Sequence, residues 1–160
     1  MKKFGLESAG SVRTPISPNV KLTVNLLGKS VNPSLYRSMI GSLLYLIASR
    51  PDISYSVGVC ARYHANPKES HIIAIKHIIK YVKTTSNFRV WYDKDTNDVL
   101  AGYFDANWVG NADDRTSTSR GCFYLDNNLV SWISKKHNSI SLSTVKVKYI
   151  ATSSCCTQLL

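Results

Sequence analysis

The feature that most restricts the fold of this chain is a change of hydrophobic periodicity near residue 84. From Asn32 to Lys83, apolar residues recur at the three- and four-residue spacing of amphipathic helices. After the polar stretch Thr84 to Asn87, short runs rich in aromatic and β-branched residues alternate with turn residues. The sequence therefore predicts an α+β protein, in which a helical segment precedes an antiparallel β-meander.

Three helices are predicted in the first part, and a proline marks the start of each. Proline fits the first turn of a helix because its missing N–H would be unpaired there in any case. The predicted starts are Asn32-Pro33, Pro51 and Asn66-Pro67, and Glu69 completes a capping box for the third. The apolar faces of these helices are expected to bury one another.

The other segments predict loops and strands. A weak strand is expected across Val20 to Leu27. In the second part, residues 126–128 are expected to form a hairpin loop. The predicted strands of that part are Arg89 to Tyr92, Val99 to Trp108, Gly121 to Leu125 and Leu129 to Ser134.

The length of 160 residues suits one domain with a helical appendage. We divide the chain at its changes of pattern. Residues 1–31 are expected to be mostly loop, residues 32–86 to form the helical segment, and residues 87–160 to form the β-rich domain.

The formal net charge of +10 favours a polyanionic partner such as nucleic acid, although acidic membrane surfaces attract similar patches. No apolar run is long enough for a signal peptide or a membrane span, so the cytoplasm or nucleus is the expected location. The four cysteines lack metal-ligand spacing, and His64, His71 and His77 are expected to be solvated or capping residues. No cofactor or metal site is predicted.

Asp105 is the candidate functional residue, because it stands among Tyr103, Phe104 and Trp108 in a β-prone run. A carboxylate in such surroundings loses water unless a metal, a cation or a hydrogen-bond donor meets it. The alternative is an Asp at a strand end that caps the following turn.

Motifs along nearly the whole chain resemble the ribonuclease H region of copia-type LTR retrotransposon Pol polyproteins. That family reads Asp-Ala-Asp-Trp, Asp-Asp-Arg-Lys-Ser-Thr-Ser, Ser-Trp-x-Ser-Lys-Lys and Leu-Ser-Ser-Thr-Glu-Ala-Glu-Tyr. The corresponding segments here are residues 105–108, 113–119, 131–136 and 142–149. Upstream, residues 36–46 and 50–53 resemble the segment that follows the reverse transcriptase, whose C-terminal end would correspond to residues 1–31.

The resemblance implies a ribonuclease H-like domain whose intact relatives use Mg²⁺. By position, Asp105 matches the first catalytic Asp, whereas Lys146 and Lys148 replace the two Glu residues of the last motif. The same motif implies a helix that Ser143 caps, although the residues around Lys146 alternate like a strand. The remaining catalytic Asp residues are expected beyond Leu160. Hydrolysis needs several carboxylates around two metal ions, so we expect it to be lost, with a salt bridge from Lys146 to Asp105 in place of the metal. Without a further strand beside it, the first strand is expected to keep an open edge.

Three classes of function remain. The first is a catalytically inactive polyprotein remnant with at most weak, nonspecific nucleic-acid binding through Arg115, Lys135, Lys136, Lys146 and Lys148. The second is a reused interaction protein, since similar chains include some labelled as secreted RxLR-type effectors of plant pathogens. No Arg-x-Leu-Arg string occurs in this sequence. The third, an active nuclease or transferase, conflicts with the two lysines.

Overall fold

A computed structural model describes residues 10–17 and 21–159. Their architecture is α+β, with four α-helices and a three-stranded antiparallel sheet. The chain divides into two compact units, Met1–Arg89 and Val90–Leu160, which we call the helical unit and the β unit. Within the described residues, no helix has the length and apolar character needed to cross a bilayer.

The helical unit contains α1 (Pro33–Ile47), α2 (Ser54–Ala61) and α3 (Glu69–Thr84). Asn32 caps α1 as predicted, since its side-chain oxygen accepts hydrogen bonds from the N–H groups of Ser34 and Leu35. Pro51 opens a short 3₁₀ turn, Pro51–Ile53, and α2 follows directly.

The three helices bury one another, as the sequence predicted. The most deeply buried apolar side chains come from all three, namely Tyr36, Met39, Ile53, Val57, Cys60, Ile75 and Ile78. Leu35 and Leu44 follow the three- and four-residue apolar spacing that predicts the buried face of α1, but both are about half exposed. The buried stripe of α1 is therefore narrower than its apolar pattern indicates.

The third helix begins at Glu69, so the predicted start at Asn66-Pro67 is wrong. The chain before Glu69 is held in extended form, because the Pro67 carbonyl accepts from the N–H of Val31 at 3.2 Å. The N–H of Glu69 donates to the carbonyl of Lys29 at 3.0 Å. These tertiary hydrogen bonds replace the capping box expected between Asn66 and Glu69.

His71 caps α3 from a fully buried position. Its Nδ1 accepts the Lys68 N–H at 2.9 Å, so Nε2 carries the ring hydrogen and donates to the Thr23 carbonyl at 2.7 Å. The ring stacks on Tyr63 with 4.1 Å between centroids. Residues 21–27 are irregular rather than a strand, and residue 20 lies outside the described residues. The backbone of this segment instead accepts the hydrogen bond from His71 of α3.

An ionic cluster around the buried Arg50 side chain joins the 3₁₀ turn to the end of α3. Arg50 donates to Asp52 at 2.7 and 2.9 Å and to the Thr85 carbonyl at 3.0 Å. Tyr81 also donates to Asp52, at 2.9 Å. Burial alone would raise the pKa of Asp52, but the hydrogen bonds from Arg50 and Tyr81 outweigh it and lower that pKa.

The β unit is a meander of β1 (Leu100–Asn107), β2 (Thr118–Leu125) and β3 (Asn128–Lys136), followed by α4 (Thr144–Leu159). The strand order is β1-β2-β3, so β1 and β3 are the edges of the described sheet. The register pairs Tyr103 with Cys122 and Asp105 with Arg120. A two-residue turn at Asp126 and Asn127 joins β2 to β3, with Asp126 at a φ of 52°.

Two strand predictions need correction. Residues 89–92 form no strand, and the next residue, Asp93, exchanges hydrogen bonds with the side chain of Asn128 at 2.7 and 3.0 Å. The second strand begins at Thr118 rather than Gly121, because its polar first residues pair with both neighbours. Hydrophobic pattern alone misses this end of the strand.

Helix α4 covers one face of the sheet. A Cβ on Gly102 would lie 2.9 Å from the Cys155 sulfur and 3.0 Å from a Leu159 methyl carbon, so the helix approaches β1 closely. Phe123 of β2 and Val147 of α4 are buried. Cys155 is a free thiol, like the other three cysteines.

The ionic cluster around Arg50 yields a stability prediction. Asp52→Asn removes the carboxylate that pairs with Arg50, whose side chain is only 9% exposed. We expect the helical unit to lose about 1–3 kcal/mol of unfolding free energy, since a buried guanidinium is left without its charged partner. Circular dichroism during urea unfolding measures the change. Glu69→Gln, at an exposed acid of the same unit, is the control, and an equal effect of both variants would contradict the prediction.

Candidate functional site

Asp105 lies in the middle of β1 with its side chain 64% exposed. Its carboxylate forms an ion pair with Arg120, the residue directly opposite it on β2. Both side chains reach solvent, so the pair contributes little to stability. The sequence predicts that a metal, a cation or a hydrogen-bond donor meets Asp105, and in the structure this group is the cation Arg120.

The predicted salt bridge from Lys146 to Asp105 is wrong, because Arg120 is the partner. Side chains alternate along a strand, so Asp105 lies on the face opposite to that of Gly102. Gly102 packs against α4, and Lys146 belongs to the first turn of that helix. Asp105 and α4 therefore occupy opposite faces of the sheet.

Lys146 and Lys148 are exposed at the start of α4. Ser143 caps this helix as predicted, and its hydroxyl accepts the Lys146 N–H at 3.3 Å. The first turn contains no acidic residue. A helix forms despite the alternation of Val145 and Val147 with lysines, because Val147 is fully buried.

The loop between β1 and β2 determines the surroundings of two more of the predicted cations, Lys136 and Arg115. Asp114 accepts from the N–H and hydroxyl of Thr116 at 3.0 and 2.7 Å, and forms an ion pair with Lys136. Partial burial would raise the pKa of Asp114, but the hydrogen bonds from Lys136 and Thr116 lower it to about 2. Arg115 occupies the turn at a φ of 55°. The charge of Lys136 is thus locally balanced.

Sequence reasoning missed three residues near the end of β3. One is Arg120, and the others are Ser119 and His137, whose Oγ and Nε2 atoms lie 2.6 Å apart. Burial lowers the pKa of His137. Lys135 belongs to the same sheet face as Ser119, its direct partner in the register. No local pattern signals this grouping, because it depends on the pairing of β2 with β3.

The residues present do not fit a pair of Mg²⁺ ions. Such a centre needs several converging carboxylates. Asp105 is paired with Arg120, and residue 146, where the motif resemblance implies a Glu, is a lysine. Throughout residues 10–17 and 21–159, no three His, Cys, Asp or Glu side chains are grouped as metal ligands. His64 and His77 instead contact the backbone carbonyls of Ala61 and Thr14.

The positive charge of the chain is divided unequally between the units. Residues 1–89 contain thirteen Lys and Arg against three Asp and Glu, whereas residues 90–160 contain seven of each. The whole excess of +10 therefore belongs to the helical unit. All five cations that the sequence predicts to bind nucleic acid lie in the β unit, whose charges balance.

The chain is similar to Pol polyproteins of plant transposons. It is 35% identical over 149 residues to the retrovirus-related Pol polyprotein from transposon RE1 of Arabidopsis thaliana, covering 93% of this chain and 10% of that protein. Against the retrovirus-related Pol polyprotein from transposon TNT 1-94 of Nicotiana tabacum, it is 32% identical over 158 residues, covering 94% of this chain and 12% of that protein. The chain thus spans about a tenth of these polyproteins.

A much shorter relative is also similar. The chain is 34% identical over 119 residues to Secreted RxLR effector protein 161 of Plasmopara viticola, covering 74% of this chain and 84% of that protein. No protein-family model and no solved structure matches the chain.

These relatives define the class as retroelement Pol sequences, which confirms the resemblance found in the motifs. The chain belongs to the copia-type retrotransposon Pol family and corresponds to one segment of the polyprotein.

The loop carboxylate gives a pH prediction. The folded pKa of Asp114, about 2, lies below its ordinary value of 3.8, so its ionised form stabilises the β unit above about pH 4. This contribution is lost as the pH falls through 2. We expect Asp114→Asn to be less stable than the parent chain at pH 6 and the difference to shrink toward pH 2.

Thermal melts between pH 2 and pH 6 measure this difference. Asp98→Asn, in the exposed stretch before β1, is the matched control and should show no such trend. A destabilisation by Asp114→Asn that stays constant with pH would refute the role of the ionised carboxylate.

Proposed function

We propose that the chain is a catalytically inactive, ribonuclease H-like segment of a copia-type Pol polyprotein that binds nucleic acid weakly and without sequence preference. The observation that carries this proposal is the ion pair between Asp105 and Arg120, which occupies the carboxylate that the family motif assigns to metal. Lys146 at the position of the family Glu supports it. Such a role belongs in the cytoplasm or nucleus.

The order of elements supports the ribonuclease H-like assignment. An antiparallel three-stranded meander is followed by a helix that packs against its first strand. Asp105 lies on that first strand, and the family's acidic motif coincides with the first turn of α4. The order of these elements and the positions of the motifs along them are what support the ribonuclease H-like assignment.

The charge distribution favours the helical unit as the main nucleic-acid surface. Lys76, Lys80 and Lys83 are spaced four and three residues apart and share one face of α3. His77 Nε2 lies 2.9 Å from the Thr14 carbonyl, so the segment that contains Thr14 runs alongside this helix. The preceding residue, Arg13, is exposed. We call Arg13, Lys76, Lys80 and Lys83 the α3 basic stripe.

The α3 basic stripe is long enough to contact more than one phosphate of a nucleic-acid backbone. Lys76 and Lys83 lie about 10 Å apart along the helix axis, enough to span neighbouring phosphates. Glu69 is the only acidic residue of α3 and lies two turns before Lys76. Arg115, Lys135, Lys136, Lys146 and Lys148 would add weaker contacts, because seven acidic residues balance the cations of their unit.

We expect no Mg²⁺-dependent cleavage of an RNA–DNA hybrid by the purified chain. One ion-paired carboxylate cannot hold two metal ions and activate water. A gel assay with a labelled hybrid, in the presence and absence of excess Mg²⁺, provides the measurement. Turnover that disappears in Asp105→Ala would overturn the proposed inactivity.

Charge reversal tests the binding surface. Lys76→Glu with Lys80→Glu should weaken duplex binding and lower the slope of log affinity against log salt by about two, since two phosphate contacts are lost. Fluorescence anisotropy at several salt concentrations measures both quantities. Lys146→Glu with Lys148→Glu changes the net charge equally and is the matched control.

The control variant should reduce affinity much less. If both double variants lower affinity and salt slope alike, the α3 basic stripe is not the main surface. If the parent chain binds one sequence selectively and independently of salt, nonspecific binding is refuted.

The similarity to Secreted RxLR effector protein 161 favours a second candidate, a reused interaction protein. That function requires a protein partner rather than a polyanion. Duplex binding with a steep salt dependence supports the first candidate. A purified, folded chain that binds no duplex at low salt supports the second.

A further inference from the structure

The turn at residues 25–28 of the helical unit presents two adjacent leucines to solvent. Leu26 is 79% exposed and Leu27 is fully exposed. No other large apolar side chain of the described residues is as exposed as Leu27. Apolar side chains scattered singly over a surface are normal, whereas neighbouring ones that protrude together often mark a contact site. We call these two side chains the leucine tip.

Hydrogen bonds hold this turn in one shape. Asn25 has a φ of 47°, and its carbonyl accepts from the N–H of Gly28 at 2.9 Å. The side-chain amide of Asn25 donates to the hydroxyl of Ser70, in the first turn of α3, at 3.1 Å. A contact made through a fixed turn loses less conformational entropy than one made through a flexible loop. The leucine tip is therefore preorganised.

The chain on both sides of the turn is tied to the core of the helical unit. Before the turn, the Leu22 carbonyl accepts from the Tyr63 hydroxyl at 2.8 Å, and the Thr23 carbonyl accepts from His71 at 2.7 Å. After the turn, the Lys29 carbonyl accepts from a backbone N–H of α3 at 3.0 Å. The core therefore supports the exposed leucines from below.

The charges near the leucine tip favour an anionic partner. Lys21 and Lys29 are exposed, one on each side of the turn along the chain. Glu69 also lies close, because its N–H donates to the Lys29 carbonyl. A second acid of the unit, Asp52, is already paired with Arg50. The helical unit as a whole carries the net charge of +10.

A bilayer that contains anionic lipid matches this combination of an apolar tip and surrounding cations. Two side chains bury far less than the roughly 800 Å² that each partner contributes to a stable protein interface. A bilayer needs no pocket of complementary shape. Apolar side chains can enter the boundary of the acyl chains while lysines stay among the headgroups. Neither signal anchors a protein stably alone, but the two together do.

We propose that the leucine tip inserts into the interfacial layer of an anionic membrane, with Lys21 and Lys29 contacting the lipid headgroups. The tip is attached to α3 at Ser70, about 9 Å along the helix axis from Lys76, the first lysine of the α3 basic stripe. The membrane contact therefore uses residues outside the proposed nucleic-acid surface. It goes beyond the proposed function and can succeed or fail separately from it.

Flotation with lipid vesicles tests the insertion. We expect the parent chain to float with vesicles of phosphatidylcholine and phosphatidylserine, and much less with phosphatidylcholine alone. Leu27→Ser should weaken binding to the anionic vesicles about tenfold, because one leucine no longer leaves water. Tyr45→Ser is the matched control, at an equally prominent apolar residue on α1 of the same unit, and should leave the affinity unchanged.

A tryptophan at the tip reports whether the side chain enters the apolar layer. The emission of Leu27→Trp should move to shorter wavelength when anionic vesicles are added, whereas that of Tyr45→Trp should not. The emission of the parent chain, whose three tryptophans all belong to the β unit, is subtracted from both. An unchanged emission wavelength at position 27 on vesicle-bound protein overturns the proposal.

Two further comparisons separate insertion from other contacts. Lys21→Gln with Lys29→Gln should weaken binding to anionic vesicles and reduce its salt dependence. If Leu26→Ser with Leu27→Ser binds these vesicles as tightly as the parent chain, charge alone attracts the protein and insertion is refuted. If the parent chain is a dimer in size-exclusion chromatography and Leu27→Ser is a monomer, the tip contacts a second copy instead, which also overturns the proposal.

Duplex binding distinguishes this inference from the proposed function. Leu27→Ser should leave the duplex affinity unchanged, because phosphate contacts do not involve the leucine tip. Lys76→Glu with Lys80→Glu should weaken duplex binding, yet the same double change in Leu27→Trp should keep the emission shift at saturating vesicle concentration. A shift that disappears there would refute an insertion independent of the α3 basic stripe.

Discussion

The antiparallel register between β1 and β2 determines which charged groups meet in the β unit. It places Asp105 directly opposite Arg120, and alternation along the strand directs both away from the face that packs against α4. A register shifted by one residue would exchange the two faces. Close packing of Cys155 and Leu159 at Gly102 opposes such a shift, because a side chain with a Cβ does not fit there without local movement.

In the helical unit, most charged side chains lie outside the packed core. Its interior is mainly apolar, and the buried Arg50 and His71 side chains each have hydrogen-bond partners. Its basic residues remain largely at the surface, with few carboxylates to balance them. The excess charge therefore does little to hold the fold together and is available to a polyanion.

Local signals predicted the helices well and the strand ends poorly. Asn32 and Ser143 cap helices because a short polar side chain bonds nearby N–H groups, which the sequence reveals directly. The start of α3 failed because Pro67 pairs with Val31, a contact set by tertiary structure.

Predictions about the site failed for the same physical reason. Asp105 was identified from its unusual neighbours, but its partner Arg120 stands fifteen residues away and is visible only once the register is known. The grouping of Ser119 with His137 likewise requires the pairing of β2 with β3. Side-chain partners across a sheet depend on nonlocal pairing, which spacing along the chain does not encode.

The position of β1 at the edge of the sheet gives Asp105 a consequence unrelated to metal. An edge strand exposes backbone groups that can recruit the same strand of another molecule and start aggregation. Charged side chains in the middle of such a strand act as gatekeepers, since stacking two copies would crowd like charges together. Asp105 and its partner Arg120 interrupt a run that otherwise contains Tyr103 and Phe104, both substantially exposed. A residue that the family assigns to catalysis would thus help to keep this chain in solution.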